Sequence, residues 1–511
     1  MVLASSLPLS GFQAGSLHHT GLASHGRRGT VAALAAWRPL RMNILIVGAG
    51  VVGSNLARQL SLEHQNISLV DADASRLDAI NQRIDCLTVL GDGATPSVLE
   101  RAGIAHADMV IAVSDSDSVN LVICALAERY GVKRKIARVR NPEYRDFVSR
   151  PVRNKSTRVR PVDKKVAGPL GEIVDTIINP DLIIVSALQQ FIDSPGATEV
   201  ADFGDGAIHM RRFPITGQSP LAGLTMKELG KYTSVEPFLV VAIQRGTQTI
   251  IPRGDDRIEP GDDIVMVMPD GVQPMVLPLV GSTINDVQKV IIDGTTPVAL
   301  ELARRLEEMG VGQIWLIEGD QQRAHEAADQ LGRARVVVGR STDPALHAEL
   351  GTDVADYFVA LGENDEHSLL GALLARKLGA RRTAILVREV EYIDILQSIG
   401  IDIAVNSRLL TTSAILRYIR RGSILSVARF LNDQAEAIEL LVDEKARISG
   451  KPLMEIGLEK NIIIGAVQRD DDVFLPNGQT VILPGDHVTV FTLADKVGRV
   501  EKLFDKRGLF G

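Results

Sequence analysis

The chain has 511 residues, 45% of them hydrophobic and 23% charged, a globular composition on a length that calls for about three or four domains. A formal net charge of −7 and an aromatic content of 4% count against nucleic acid as a partner, because phosphate-binding surfaces are basic and base stacking needs aromatic platforms. No stretch offers the roughly 18 uninterrupted apolar residues of a membrane-crossing helix. The two cysteines, Cys86 and Cys124, sit in apolar stretches without metal-ligand spacing and read as buried small hydrophobes.

Residues 1–41 contain no Asp or Glu, carry Arg27, Arg28, Arg38 and Arg41, and are rich in Ser, Gly, Ala and His. Such a segment reads either as a transit peptide or as translation from an upstream start, and the second is the simpler expectation, since Met42 directly precedes a strand pattern. That strand, Met42–Val47, runs into Gly48-Ala49-Gly50-Val51-Val52-Gly53, after which Val52, Leu56, Ala57 and Leu60 recur at helical spacing. Gly48 permits the tight turn, Gly50 lets the backbone approach a pyrophosphate, and Gly53 lets the helix lie close on the strand. Free amides at the helix start then face the phosphates.

The next strand, Ile67–Val70, ends at Asp71, 23 residues after Gly48. An acid there accepts from ribose hydroxyls and disfavours a 2′-phosphate, which points to NAD(H) or an adenosine nucleotide; the plainer reading is a helix cap. Further strands end at Gly91-Asp92-Gly93 and at Ser114-Asp115, positions where a doubly wound sheet binds ligands. Ile136–Arg140 reads as another strand, with Arg138 and Arg140 on one face, either as ligand contacts or as an ordinary surface ion pair.

The chain repeats itself. Leu56–Leu60 matches Leu302–Leu306, Val89–Asp92 matches Val337–Arg340, and Ala107–Ala112 matches Ala355–Ala360, at offsets of 246 to 248 residues. A second repeat places Ala242–Gly246, Pro252–Gly254 and Ile258–Asp262 against Ala466–Asp470, Pro476–Gly478 and Ile482–Asp486, short apolar runs broken by Pro-Gly and Gly-Asp turns. The fold expectation is therefore α/β: two Rossmann-like, doubly wound parallel-sheet domains, each followed by a small α+β domain. The expected boundaries are 1–41 for the extension, 42–165 and 285–408 for the larger domains, and 170–275 and 409–505 for the smaller ones.

In the second copy the turn reads Ile292-Asp293-Gly294-Thr295-Thr296-Pro297, with one glycine left and a carboxylate expected where phosphates would sit. Glu318 ends the second strand of this copy, where it is placed to hold a ribose, but Asp293 makes the domain chiefly structural. A dehydrogenase is the competing function. It needs a positioned acid or base near the nicotinamide, and the small domains offer only His209 and His487, at non-equivalent places, with no Tyr-x-x-x-Lys pair.

The domain order, the turn at Gly48–Gly53, Gly91–Gly93, Ala107–Asp117 and Ile136–Pro142 resemble the TrkA-type regulators of potassium uptake. So do Asn179-Pro180, Ser194–Ala197, Ala435–Glu439 and Ile463–Val467, and the resemblance spans Met42 to about Phe504. It implies two RCK (regulator of potassium conductance) units, each with a Rossmann-like N-lobe and a small C-lobe, and no enzyme activity. It further implies binding of NAD(H), with ATP or ADP as alternatives, through Gly48, Ala49, Gly50, Val51, Val52, Gly53, Asp71, Ser114, Asp115 and Arg138. A homo-oligomeric ring, peripheral on the inner face of the plasma membrane and gating a membrane potassium-translocating subunit of the Trk/Ktr type, follows from the same likeness. A regulator of another cation channel or antiporter is the remaining alternative. The basic stretch Arg145–Lys165 reads as a solvated loop or as a segment drawn to anionic lipid heads.

Overall fold

Apolar runs such as Ile44-Leu45-Ile46-Val47 form strands covered on both faces, and the helices that follow them supply the cover, as a parallel sheet requires. The computed structural model describes residues 41–141, 143–144, 173–230, 237–281, 287–389, 392–419, 424–431 and 434–504. Residues 1–40 of the extension and the basic stretch 145–165 lie outside the described residues.

The first sheet is parallel and holds β1 (Asn43–Val47), β2 (Asn66–Asp71), β3 (Leu87–Leu90), β4 (Met109–Ala112), β5 (Arg134–Arg138) and β6 (Thr176–Ile178). Its order, β3-β2-β1-β4-β5-β6, reverses between β1 and β4, which opens a crevice above their carboxyl ends. The strand β6 joins this sheet although it lies beyond residue 170. An antiparallel sheet follows, built of β7 (Glu199–Phe203), β8 (Ile208–Pro214), β9 (Leu239–Arg245), β10 (Gln248–Ile250) and β11 (Asp263–Pro269), in the order β10-β9-β11-β8-β7.

The second half repeats both. Strands β12 (Lys289–Asp293), β13 (Gln313–Glu318), β14 (Arg335–Val338), β15 (Tyr357–Ala360), β16 (Arg382–Val387) and β17 (Ile403–Asn406) run parallel in the order β14-β13-β12-β15-β16-β17. Strands β18 (Ile424–Phe430), β19 (Ala435–Leu441), β20 (Ile462–Arg469), β21 (Asp472–Phe474) and β22 (His487–Leu493) form the antiparallel sheet β18-β19-β22-β20-β21. The α/β expectation with two doubly wound sheets is met. The repeated Pro-Gly-Asp turns have a physical basis: Asp262 and Asp486, each 1% exposed, cap their turns by accepting from the amides of Glu259 and Leu483. Each also binds the arginine at the end of the neighbouring strand, Arg245 or Arg469, at 2.8 Å.

Two crossed helices bind the halves together. The helix Pro180–Asp193, N-capped by Asn179, leaves the first sheet and buries Ile184, Val185, Leu188 and Ile192 in the core of the second parallel domain, against the helix Pro297–Glu308. Reciprocally, the helix Ser407–Ile419 buries Ile415, Leu416 and Ile419 in the first core, against the helix Val51–Leu62. At about 1.5–3 kcal/mol for each large apolar side chain removed from water, each crossing stabilises the pair by several kcal/mol. The antiparallel sheets also meet: Phe203, Val241 and Val267 share a core with Phe430, Ala437 and Phe491. Gly465 makes that approach possible, since a methyl there would stand 3.2 Å from Val267 Cγ1.

Cys124 is buried, with its thiol pushed up to about 12 by burial. Cys86 departs from expectation and is half-buried, because it precedes β3 at the open edge of the sheet, where only one side is covered.

Candidate nucleotide site

The turn after β1 is built as its glycines require. Gly48 has φ +110°, and a methyl there would stand 2.8 Å from Ser114 N; at Gly53 it would stand 1.8 Å from Gly48 O. Gly50 differs. A methyl there would meet nothing within 4 Å, so its Cα faces open space at the start of the helix Val51–Leu62, where the chain has no other use for a glycine's small size.

Asp71 ends β2 at 9% exposure and accepts from Ala49 N at 2.6 Å and from Asp73 N at 2.8 Å. It therefore ties the glycine turn to the second strand, while Asp73 is the residue that caps the next helix, on Ser75 N. The capping role that sequence allows Asp71 thus falls to its neighbour. Arg76 stands 3.8 Å from Asp71.

On the other side of the crevice, Ser114 and Asp115 follow β4. Arg138, the last residue of β5, is 6% exposed and holds Asp115 at 2.9 Å through Nη2, while its Nε has no partner among the described residues. Burial, with Arg140 beside it, lowers the guanidinium's pKa despite Asp115. Arg140 was expected on the same strand as Arg138, but β5 ends at Arg138. Asp117 Oδ2 accepts from the backbone amides of Arg140 and Asn141, which turns the chain outward and leaves Arg140 exposed at the cleft rim.

Sequence reasoning passed over Asn120. Fully buried on the helix Asp117–Arg129, it accepts from Ser114 N and Oγ and donates to the carbonyls of Ser114 and Arg138. It thereby locks the Ser114 turn to the end of β5. The available signal was one amide in an otherwise apolar run, Val119-Asn120-Leu121-Val122-Ile123.

Gly48 through Val52, Asp71, Ser114, Asp115 and Arg138 line one cleft of about 1460 Å³. Gly53 lies beneath it, against Gly48. The opposite wall comes from the second half: Arg388, Glu389, Ser407, Arg408, Leu409 and Thr411. Nothing in the sequence joins these residues to Gly48; the crossing of the helix Ser407–Ile419 onto the first domain brings them there. Seven arginines and four carboxylates line the cleft, an excess of positive charge in a chain of net charge −7. Arg408 is held by Glu389 at 3.1 Å and Arg388 by Asp365 at 2.6 Å.

The second crevice is arranged differently. Asp293 is not presented to a phosphate position; it is turned into the core at 7% exposure, because it occupies the inward-facing place that Val47 holds in the first copy. Glu318, the counterpart of Asp71, is taken within its own domain: Thr295 donates to its Oε2, Asp320 N to its Oε1 at 3.0 Å, and Arg323 binds it at 2.7 Å. These contacts hold its pKa below the usual carboxylate range although burial pushes the other way. Thr296 Oγ1 donates to Leu361 O, closing the turn where Gly50 leaves the first one open.

Two doubly wound lobes with a ligand crevice at the topological switch, each followed by a small antiparallel lobe, define the RCK class of fold. The RCK domain of GsuK aligns with a TM-score of 0.55 at 17% identity, over 91% of this chain and 95% of that one. The TrkA-N domain model matches residues 44–153 and 290–407, and the TrkA-C domain model matches 210–281 and 437–505. The Trk system potassium uptake protein TrkA of Azorhizobium caulinodans is 33% identical over 91% of this chain and 98% of its own length. That of Haemophilus influenzae is 31% identical over 92% and 100%. The chain belongs to the TrkA family of potassium uptake proteins. The relatives of that family are potassium uptake proteins and not dehydrogenases. Among the described residues no helix is long and apolar enough to cross a membrane.

Proposed function

We propose that the chain is a nucleotide-responsive regulatory subunit that gates a membrane potassium-translocating partner of the Trk/Ktr type. It works from the cytoplasmic face of the membrane as a ring of RCK units. The lobes are residues 42–165 extended through β6, 170–275 after that strand, 285–408 and 409–505. The cleft is the sensor, with NAD(H) as its ligand and ATP or ADP as alternatives, all of which present the free ribose hydroxyls that Asp71 accepts from. The amides of Gly50, Val51 and Val52 and the Arg138 guanidinium would take phosphate oxygens, since Gly48 N is bonded to Val70 O and Ala49 N to Asp71, and Asp71 would take ribose hydroxyls.

One observation carries this reading: the crevice of the first N-lobe is walled by basic residues of the second half. A ligand with two or more phosphates would contact both, so its binding free energy would favour one arrangement of the halves over others. Linkage of that kind is typically worth about 1–3 kcal/mol, enough to bias a partner's opening. The solved GsuK channel bound to NAD, with a TM-score of 0.56 at 17% identity, supports NAD as a ligand of this fold.

Calorimetric titration of the purified chain with NADH, NAD⁺, ATP and ADP tests the sensor, and saturable binding of at least one is expected. Binding of none would sink it. Retention of a potassium-translocating membrane protein on co-purification from source membranes, with flux that changes on nucleotide addition, tests the regulatory role.

A further inference from the structure

Beneath the second crevice the core holds three polar side chains where the first half has others. Asp293 stands in place of Val47, Ser341 in place of Gly93, and Ser368, in the first turn of the helix Asp365–Lys377, in place of Asn120. They are 7%, 1% and 1% exposed, and Asp293 Oδ2, Ser341 Oγ and Ser368 Oγ have no hydrogen-bond partner among the described residues. In the first half the corresponding space is filled by Val47 packed onto Gly93, where a methyl would stand 2.2 Å from Val47 Cγ1, and by the fully bonded Asn120.

Two of the groups face one point, and the third lies beside Asp293. A methyl on Gly362 would stand 2.8 Å from Ser368 Oγ and 3.7 Å from Asp293 Oδ2. The Ser341 hydroxyl is near enough to favour the charged form of Asp293, though its geometry falls short of a hydrogen bond. No lysine or arginine pairs with Asp293 among the described residues: Arg323 is engaged by Glu318 and Glu363, and the exposed His367 acts only at longer range. Glu318 adds negative potential from the neighbouring strand. A buried carboxylate without a counter-charge, beside two unbonded hydroxyls, is costly unless something neutralises it.

We infer that Asp293, Ser341 and Ser368 form a binding site for a monovalent cation, sodium or potassium, inside the second N-lobe. The donors are all oxygen, which suits hard alkali cations and not the nitrogen- and sulfur-seeking metals. A single carboxylate balances a single positive charge. Among the described residues no group of three or more His, Cys, Asp or Glu is placed to hold a metal ion, so a highly charged cation lacks its counter-charges. The bound ion would join the end of β12, the turn after β14 and the start of the helix Asp365–Lys377. Asp365 of that same helix holds Arg388 at the first half's cleft. Alkali-ion binding would thus stiffen the element that presents Arg388 to the nucleotide side.

The test uses the full chain without nucleotide, so that failure of the nucleotide reading leaves it standing. The thermal midpoint is followed as potassium, sodium or choline chloride is raised at constant ionic strength. The wild type should show a saturable rise with potassium, sodium or both, the two arms ranking the ions, and none specific to choline. Asp293→Asn should lose it, and Ser341→Ala and Ser368→Ala should raise the half-saturating concentration by about fivefold or more. If Asp293→Asn fails to fold, the two serine variants decide. A wild type indifferent to the cation, the result expected if only water fills the pocket, overturns the inference. So does an alkali-ion response unchanged in the variants.

Discussion

The two N-lobes share one topology, yet their crevices are finished in opposite ways. In the first, the chain opens space at Gly50, ties the turn from below through Asp71 and Ala49 N, and leaves Arg138 Nε without a partner at the cleft. In the second, the rim is satisfied internally by Thr295, Thr296 and Arg323, and the unbonded polar atoms lie beneath it instead. Duplication therefore need not preserve a site. A few substitutions at matched positions move the unsatisfied chemistry from the surface of the crevice to its floor.

The contrast can be broken most sharply at Gly53. A methyl there would stand 1.8 Å from a backbone oxygen, so Gly53→Ala should destabilise the first lobe by about 3 kcal/mol or more in urea unfolding and abolish nucleotide binding. Near-normal stability would mean that the turn is not built as described.

Asp293 sets the next largest effect. Burial pushes its carboxyl up to about 6 from 3.8, so the folded chain holds this proton more tightly than the unfolded one, and ionisation counts against folding. Stability should fall as pH rises from about 4 through about 6 and then level off. In choline buffer the loss relative to Asp293→Asn should be about 2–3 kcal/mol, at 1.36 kcal/mol per pKa unit. Parallel pH profiles for the two proteins would contradict the burial of this charge.

Gly50→Ala separates ligand from fold. The added methyl meets no protein atom within 4 Å, so thermal stability should be nearly unchanged while nucleotide affinity falls about tenfold, or ~1.4 kcal/mol. Unchanged affinity would show that phosphates do not approach this turn.

A smaller effect tests the first C-lobe. Burial opposes protonation of His209, but hydrogen bonds to Asp202 at 2.7 Å and Asp270 at 3.0 Å outweigh it and raise its pKa. Its contribution is present below the unfolded value of about 6.5 and lost as pH rises through the folded one. His209→Gln should remove about 1 kcal/mol at pH 6 and less at pH 8; equal losses would exclude a charged histidine.

Much of the candidate site was legible because its determinants are local. A glycine's need for space is set by the strand and helix on either side of it, and Asp71 ends the next strand, so Gly48–Gly53 and Asp71 could be read from spacing alone. Asp293 could be located, but its expected direction toward phosphates was wrong: it ends β12 on the inward-facing side, in the place of Val47, and what it meets there comes from other elements. Asn120 stood out only as one amide in an apolar run, and its partners could not be read there, since the Ser114 turn and the Arg138 carbonyl it ties together follow different strands.

The duplication, the alternation of parallel and antiparallel lobes, and the asymmetry of the two glycine turns follow from the amino-acid order, because periodicity and turn chemistry are written in neighbouring residues. Long-range packing, by contrast, sends the helices Pro180–Asp193 and Ser407–Ile419 across between the halves, brings Arg388 and Arg408 to the first crevice, and gathers three unbonded oxygens in the core beneath the second. The helix crossings rest on apolar contacts between residues a hundred or more positions apart, and the buried oxygens come from three separate elements of one lobe, so no local pattern encodes either.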